Sequence, residues 1–151
     1  MVTVAKVAVE NAVYHFDKAF TYRVPEVLLP SAKTGCRVIV PFGTANGKRQ
    51  GIILGLEGLP GPEPAKLKSI FSVADRAPLL SQEAVGLVFW IKEHTFCTLF
   101  EAAKLFFPAG VKLKIRTEYS LAKPLPDFDA GALDEEEKQA VSYLSHKKNF
   151  V

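Results

Sequence analysis

The stretch Gly43-Thr-Ala-Asn-Gly47-Lys48-Arg49 sets a lysine behind a glycine loop, the composition used to hold nucleotide phosphates. A phosphate loop needs four residues between its glycines, a Ser or Thr after the lysine for magnesium, and a helix opening behind it. Here three residues separate the glycines and Arg49 takes the Ser/Thr position. Apolar runs of β character lie on both sides, so the stretch reads as a hairpin and ATP turnover is not expected of it. No G-x-S-x-G elbow and no H-E-x-x-H pair occurs. His15, His94 and His146 fall in three different segments. His94 and Cys97 have an H-x-x-C spacing, but a zinc site needs a second pair, so ordinary packing is the plainer reading. The carboxylates Asp134 to Glu137 suit a solvated first helical turn. Glu10 and Asp17 flank a loop and could pair, yet nothing around them suggests the burial that acid–base work needs. The chain reads as a binding module rather than an enzyme, with no cofactor or metal of its own expected.

Binding chemistry is better supplied. Tyr14, Phe16, Phe20, Tyr22 and Phe42 are interleaved with Lys18, Arg23, Arg37, Lys48 and Arg49. Aromatic faces stack on bases and cations follow phosphates, which is what single-stranded nucleic acid requires. The same alternation also fills a β core, and Phe20 and Tyr22 share one strand face. Both readings stand on residue types alone. The net charge of +3 is mild, but its distribution is uneven. Residues 1–70 hold nine Lys/Arg against five Asp/Glu, residues 71–111 three against four, and residues 112–151 seven against seven. A basic amino-terminal half suits an anionic partner. Two distant cysteines, Cys36 and Cys97, point to no disulfide framework and fit a reducing cytoplasm. No signal-like start or membrane-length apolar run appears, so neither secretion nor a membrane partner is expected.

The elements that must carry these residues are legible. Val2, Val4, Val7 and Val9 mark an opening strand; Phe20 to Val24 alternate cleanly until Pro25 stops them. A turn at Lys33–Gly35 leads into a strand over Arg37–Pro41, and Asn46-Gly47 turns it into a strand over Gly51–Gly55. Gly58–Pro64 is a loop, and Lys68–Val73 a last strand. Short strands at this spacing predict a small barrel or sandwich. After Pro78 the period changes: Ser81 caps a helix over about Gln82–Glu93, and Thr98 caps another to about Phe106. Residues 112–121 read as a strand, Lys123–Gly131 as a linker, and Asp134 as the cap of a helix over Glu135–Lys147. That terminal helix reads as the first element of a further domain cut short.

Three blocks then become recognisable together: Phe20-Thr-Tyr-Arg-Val-Pro25, Gly35-Cys-Arg-Val-Ile-Val-Pro-Phe-Gly43 and Gly51-Ile-Ile-Leu. With Leu67-Lys-Ser-Ile, the helix holding Trp90, and Leu105-Phe-Phe-Pro-Ala-Gly110, they closely resemble the opening of the PriA family of primosomal replication-restart helicases over residues 4–110. The resemblance implies an α+β chain with a barrel-like (OB-like) amino-terminal domain. Residues 1–110 would capture the 3′ end of a nascent leading strand at a stalled fork, 111–131 would be strand and linker, and 132–151 would begin a winged-helix domain. It implies a 3′-end pocket made of Phe20, Thr21, Tyr22, Gly43 and Lys68. Arg23, Arg37, Lys48 and Arg49 are the candidates for DNA backbone contacts. Implied partners are single-stranded or forked DNA with a free 3′ end, the parent protein's helicase lobes, single-strand-binding protein and primosome proteins, in the bacterial cytoplasm at the nucleoid. The ATP, magnesium and zinc of the full-length 3′–5′ helicase belong to later regions. The rival reading is a small barrel that docks helicase lobes or single-strand-binding protein without touching DNA. One position departs from the family: Thr21 stands where many relatives carry Asp. A hydroxyl can donate as well as accept and carries no charge, so end selectivity would be weaker or differently arranged. Asp17, a few residues upstream, is the carboxylate available to compensate.

Overall fold

The computed structural model describes residues 2–59, 67–110 and 133–146. Contacts divide the chain into two compact units, residues 1–113 and 114–151. In the first unit five strands form one sheet: β1 (Val2–Val9), β2 (Phe20–Arg23), β3 (Arg37–Phe42), β4 (Gly47–Leu59) and β5 (Ser72–Val73). Their order is β2-β1-β4-β3-β5, and every neighbouring pair is antiparallel. The central strand β4 explains the unbroken apolar run in its middle. Ile53 enters a cluster with Val7, Tyr22, Val38 and Val40, whereas Ile52 and Leu54 enter a second cluster with residues of the helices. A strand covered on both faces has no polar side to display, so alternation disappears there.

The expected barrel is corrected to an open sheet, because its strand ladder does not close. The short segment that carries β5 also touches β2, at the opposite edge of the sheet. The Arg23 N–H donates to the Lys68 carbonyl at 2.9 Å and the Ile70 N–H donates to the Arg23 carbonyl at 3.0 Å. Further on, the Phe71 N–H donates to the Ile39 carbonyl at 2.8 Å and the Ala74 N–H to the Arg37 carbonyl at 2.9 Å. The segment thus meets β2 in parallel through one bridge, Arg23–Ser69, and β3 antiparallel through two residue pairs. The strand expected over Lys68–Val73 is divided between these tasks, leaving only Ser72–Val73 as β5.

Helices α1 (Gln82–His94) and α2 (Leu99–Lys104) cover the second cluster. Each begins where a hydroxyl can accept an otherwise orphaned amide. Ser81 accepts from the Ala84 N–H at 3.2 Å, and Thr98 and Glu101 form a reciprocal capping box. That box accounts for the Glu101 carboxyl lying below its ordinary range: the Thr98 amide and hydroxyl both donate to it. Gly35 adopts φ +87°, and a side chain there would collide with the Leu80 carbonyl, so this turn joins sheet to helices only with glycine.

Within the second unit, α3 (Glu135–His146) is started by Asp134, which accepts from the Glu137 amide at 2.8 Å while Glu137 accepts from the Asp134 amide at 3.0 Å. The strand expected over 112–121 and the linker over 123–131 lie outside the described residues. Among the described residues, no helix is long and apolar enough to cross a membrane.

Candidate nucleic-acid interface

β2 is short, and its register decides what it offers. Val4, Ala5, Lys6 and Val7 stand opposite Arg23, Tyr22, Thr21 and Phe20. The Val24 N–H donates back to Thr3 on β1, while Arg23 turns both backbone groups outward to residues 68–70. Hydrogen bonding alternates along an antiparallel strand, so residues two apart direct their backbone groups the same way. Thr21 therefore directs its N–H and C=O away from β1, on the outer edge of the sheet. Its side chain is engaged elsewhere: the Lys6 ammonium donates to the Thr21 hydroxyl at 3.0 Å and lies 3.6 Å from Glu57.

Along that edge runs an open cleft of about 800 Å³. Its walls bring together all five residues of the expected 3′-end pocket, Phe20, Thr21, Tyr22, Gly43 and Lys68, from three separate segments. Phe20 and Phe42 meet edge to face, centroids 5.0 Å apart, the arrangement favoured by ring quadrupoles. Tyr22 is buried and donates its hydroxyl to the Pro41 carbonyl at 3.0 Å. Burial pushes its pKa up to about 12, so the phenol remains a donor throughout the neutral range. Gly43 has φ +75°, and the Lys68 ammonium donates to its carbonyl at 2.7 Å. A neutral acceptor leaves the lysine's charge uncancelled. Among the described residues the lining includes Lys18 and Lys68 and no carboxylate.

The other expected contacts separate. Arg37 is corrected from a DNA contact to an interior ion pair. Its side chain is only 7% exposed and its Nη2 lies 2.7 Å from Asp75 Oδ1, while Nε lies 3.1 Å from either Asp75 oxygen. A guanidinium so held has no face for a phosphate. Arg23 lies two residues beyond Thr21 on β2, and Lys48 and Arg49 are exposed on β4; none of the three lines the cleft. Asp17 is also corrected, both as a partner for Glu10 and as a substitute for the missing Asp. It is fully buried, accepts from the Leu99 N–H at 2.7 Å and lies 3.1 Å from the Lys92 ammonium. That carboxylate secures the start of α2 and does not reach the cleft.

Pro41, Thr44, Asn46 and Leu67 line the cleft without having been singled out. Thr44 and Asn46 belong to the β3–β4 turn, where Asn46 has φ 51°, whereas Pro41 and Leu67 fall within the blocks that carry the family resemblance, with no role implied for them. Residues 43–46 form the turn between β3 and β4, Gly47 and Lys48 already belong to β4, and the stretch opens a strand rather than a helix. Among the described residues, no group of three or more His, Cys, Asp or Glu side chains gathers as a metal site would require.

Comparison with known proteins points the same way. Residues 6–108 match the family described as the 3′ DNA-binding domain (3′BD) of PriA. The replication restart protein PriA of Bacillus subtilis (strain 168) is 30% identical over 118 residues, covering 78% of this chain and 14% of that protein. PriA of Chlamydia pneumoniae is 30% identical over 95 residues, covering 63% of this chain and 12% of its own length. The chain thus spans about a seventh or less of these relatives, and the matched family is the 3′ DNA-binding domain rather than a catalytic helicase domain. With its sheet edge, aromatic pair and lysines gathered in one cleft, the chain belongs to the PriA 3′ DNA-binding domain family.

Proposed function

We propose that this domain binds the 3′ end of a DNA strand in replication restart, with the terminal nucleotide seated in the cleft along β2. The observation that carries the reading is the convergence of Phe20, Thr21, Tyr22, Gly43 and Lys68 on one cleft beside an outward-facing strand edge. A volume of about 800 Å³ falls in the range of pockets that enclose one small ligand, ~300–1,000 Å³, and not a duplex. The Thr21 backbone offers one donor and one acceptor to a base edge, a recognition that any base can satisfy. The ring of Phe20 gives an apolar wall, and Lys18 and Lys68 supply positive charge for the phosphate. Selection of an end over an internal nucleotide would come from the terminal sugar's free hydroxyl, which can both donate to and accept from the groups along the cleft.

The finer reading is capture of the nascent leading strand at a stalled fork. On it, residues 1–110 are the end-binding domain, 111–131 join it onward, and 132–151 begin a winged-helix domain of a longer helicase. Helicase lobes, single-strand-binding protein and primosome proteins would then be its partners in the bacterial cytoplasm. A docking module is the second reading, favoured by the exposed rings of Phe16, Trp90 and Phe96.

The deciding experiment titrates the chain with an oligonucleotide ending in a 3′-hydroxyl against the same oligonucleotide ending in a 3′-phosphate. Tighter binding of the hydroxyl form is expected, with loss of the preference in Phe20→Ala. Equal, salt-sensitive binding of both would reduce the cleft to part of a general basic surface. No binding of either at low salt would favour docking.

A further inference from the structure

A strand whose end sits in the cleft must leave it across the surface, and Phe71 stands beside one exit. Its ring is 50% exposed and belongs to neither buried cluster. The core does not need this aromatic, yet its backbone is fixed. The Phe71 N–H donates to the Ile39 carbonyl at 2.8 Å, while Ser72 is the residue paired with Ile39. Two residues therefore oppose one, as in a β-bulge, a device that re-aims side chains at a sheet edge. Phe71 is three residues beyond Lys68, about 10 Å along an extended chain. On the other side, Lys48 stands directly across from Pro41, which lines the cleft. The Lys48 ammonium lies 6.0 Å from the Phe71 ring centroid, at the outer limit of about 6 Å for a cation–π contact. So loosely held, the lysine can turn to a phosphate while the ring accepts a base.

We propose that Phe71 and Lys48 form a second subsite for single-stranded DNA, next to the cleft. There a base 5′ of the terminal nucleotide stacks on the Phe71 ring, and Lys48 meets the linking phosphate. Stacking on a ring face is tolerant of sequence, in keeping with a protein that must accept whatever strand ends at a fork. The subsite rests on the 3′-end reading of the cleft. It adds the direction in which the strand departs: over the β3–β4 arm rather than past Lys18 and the helices.

The test compares the chain with its Phe71→Ala and Phe71→Trp variants. Each is titrated with thymidine 5′-monophosphate and with a short oligothymidylate ending in a 3′-hydroxyl or a 3′-phosphate. Because Phe71 lies outside both buried clusters, the variants retain the fold. Phe71→Ala is expected to weaken the hydroxyl-ended oligonucleotide about 5- to 100-fold. It should leave the mononucleotide unchanged, and Phe71→Trp should restore binding. Unchanged oligonucleotide affinity in Phe71→Ala, or equal weakening of both ligands, would overturn the subsite while leaving the cleft reading intact. A wild-type chain that does not distinguish hydroxyl from phosphate would remove the cleft reading, and the subsite with it.

Discussion

At Tyr14 the Lys92 ammonium lies 3.9 Å from the ring centroid; at Phe20 the Lys18 ammonium lies 5.9 Å from it. Both places combine aromatic rings with lysine, yet their electrostatics differ. Lys92 lies 3.1 Å from a fully buried Asp17 and donates to the Cys97 carbonyl at 2.9 Å. Its charge is cancelled where it stands, and the cluster joins the loop before β2 to the ends of α1 and α2. At the cleft, Lys68 donates to the neutral Gly43 carbonyl, and no carboxylate pairs with Lys18 or Lys68 among the described residues. One set of residue types thus makes a structural joint, the other a positive field. Aromatic company does not separate the two; the lysine's partner does.

That contrast is open to experiment. The largest effect is expected from Asp17→Ala, which strands the Lys92 ammonium and deprives the Leu99 amide of its acceptor. It should lower stability by about 3 kcal/mol in urea denaturation and leave the DNA affinity of the folded protein nearly unchanged. A large affinity loss without destabilisation would mean that the joint belongs to the binding site after all.

Tyr22→Phe should cost about 2 kcal/mol by leaving the buried Pro41 carbonyl unsatisfied. It also removes a pH dependence. The Tyr22 pKa is raised from 10.0 to about 12 in the fold. The unfolded chain therefore loses this proton first, and stability contributed by the phenol is present below pH 10 and declines as pH rises toward about 12. Alkaline denaturation followed by tyrosinate absorbance should show that decline in the native protein and a shallower one in Tyr22→Phe.

Lys68→Ala is the mirror of Asp17→Ala and the smallest of the three. Stability should stay within about 0.5 kcal/mol, since the side chain is exposed. DNA affinity should fall about tenfold, and the slope of log affinity against log salt should drop by about one. Unaltered affinity would mean that Lys68 only braces the Gly43 turn.

Much of the architecture was readable along the chain because its causes are local. Ser81 and Thr98 cap helices as hydroxyls before periodic runs should, and Asp134 does the same through Glu137. Pro25 follows directly on β2's short extension, and the positive φ of Gly35, Gly43 and Asn46 marks turns that each residue type tolerates. The five cleft residues were named by motif resemblance rather than by physics: alternation could not say whether Phe20 and Tyr22 faced a core or a ligand. In the fold the two rings pack into the first cluster at the place where it opens into the cleft.

Other features depended on residues far apart. Arg37 and Asp75 are separated by 38 positions, and Asp17 and Leu99 by 82. Nothing near Arg37 in the chain distinguishes it from Lys48, although one is locked in the interior and the other is exposed on β4. The segment 68–74 likewise brings distant strands together, bonding to β2 at one end and to β3 at the other. Caps, turns and strand periods act between neighbours and are written in residue order. The cancelling of a charge, the closing of an edge and the meeting of three segments around a cleft are long-range pairings. They come into being only when the chain is folded.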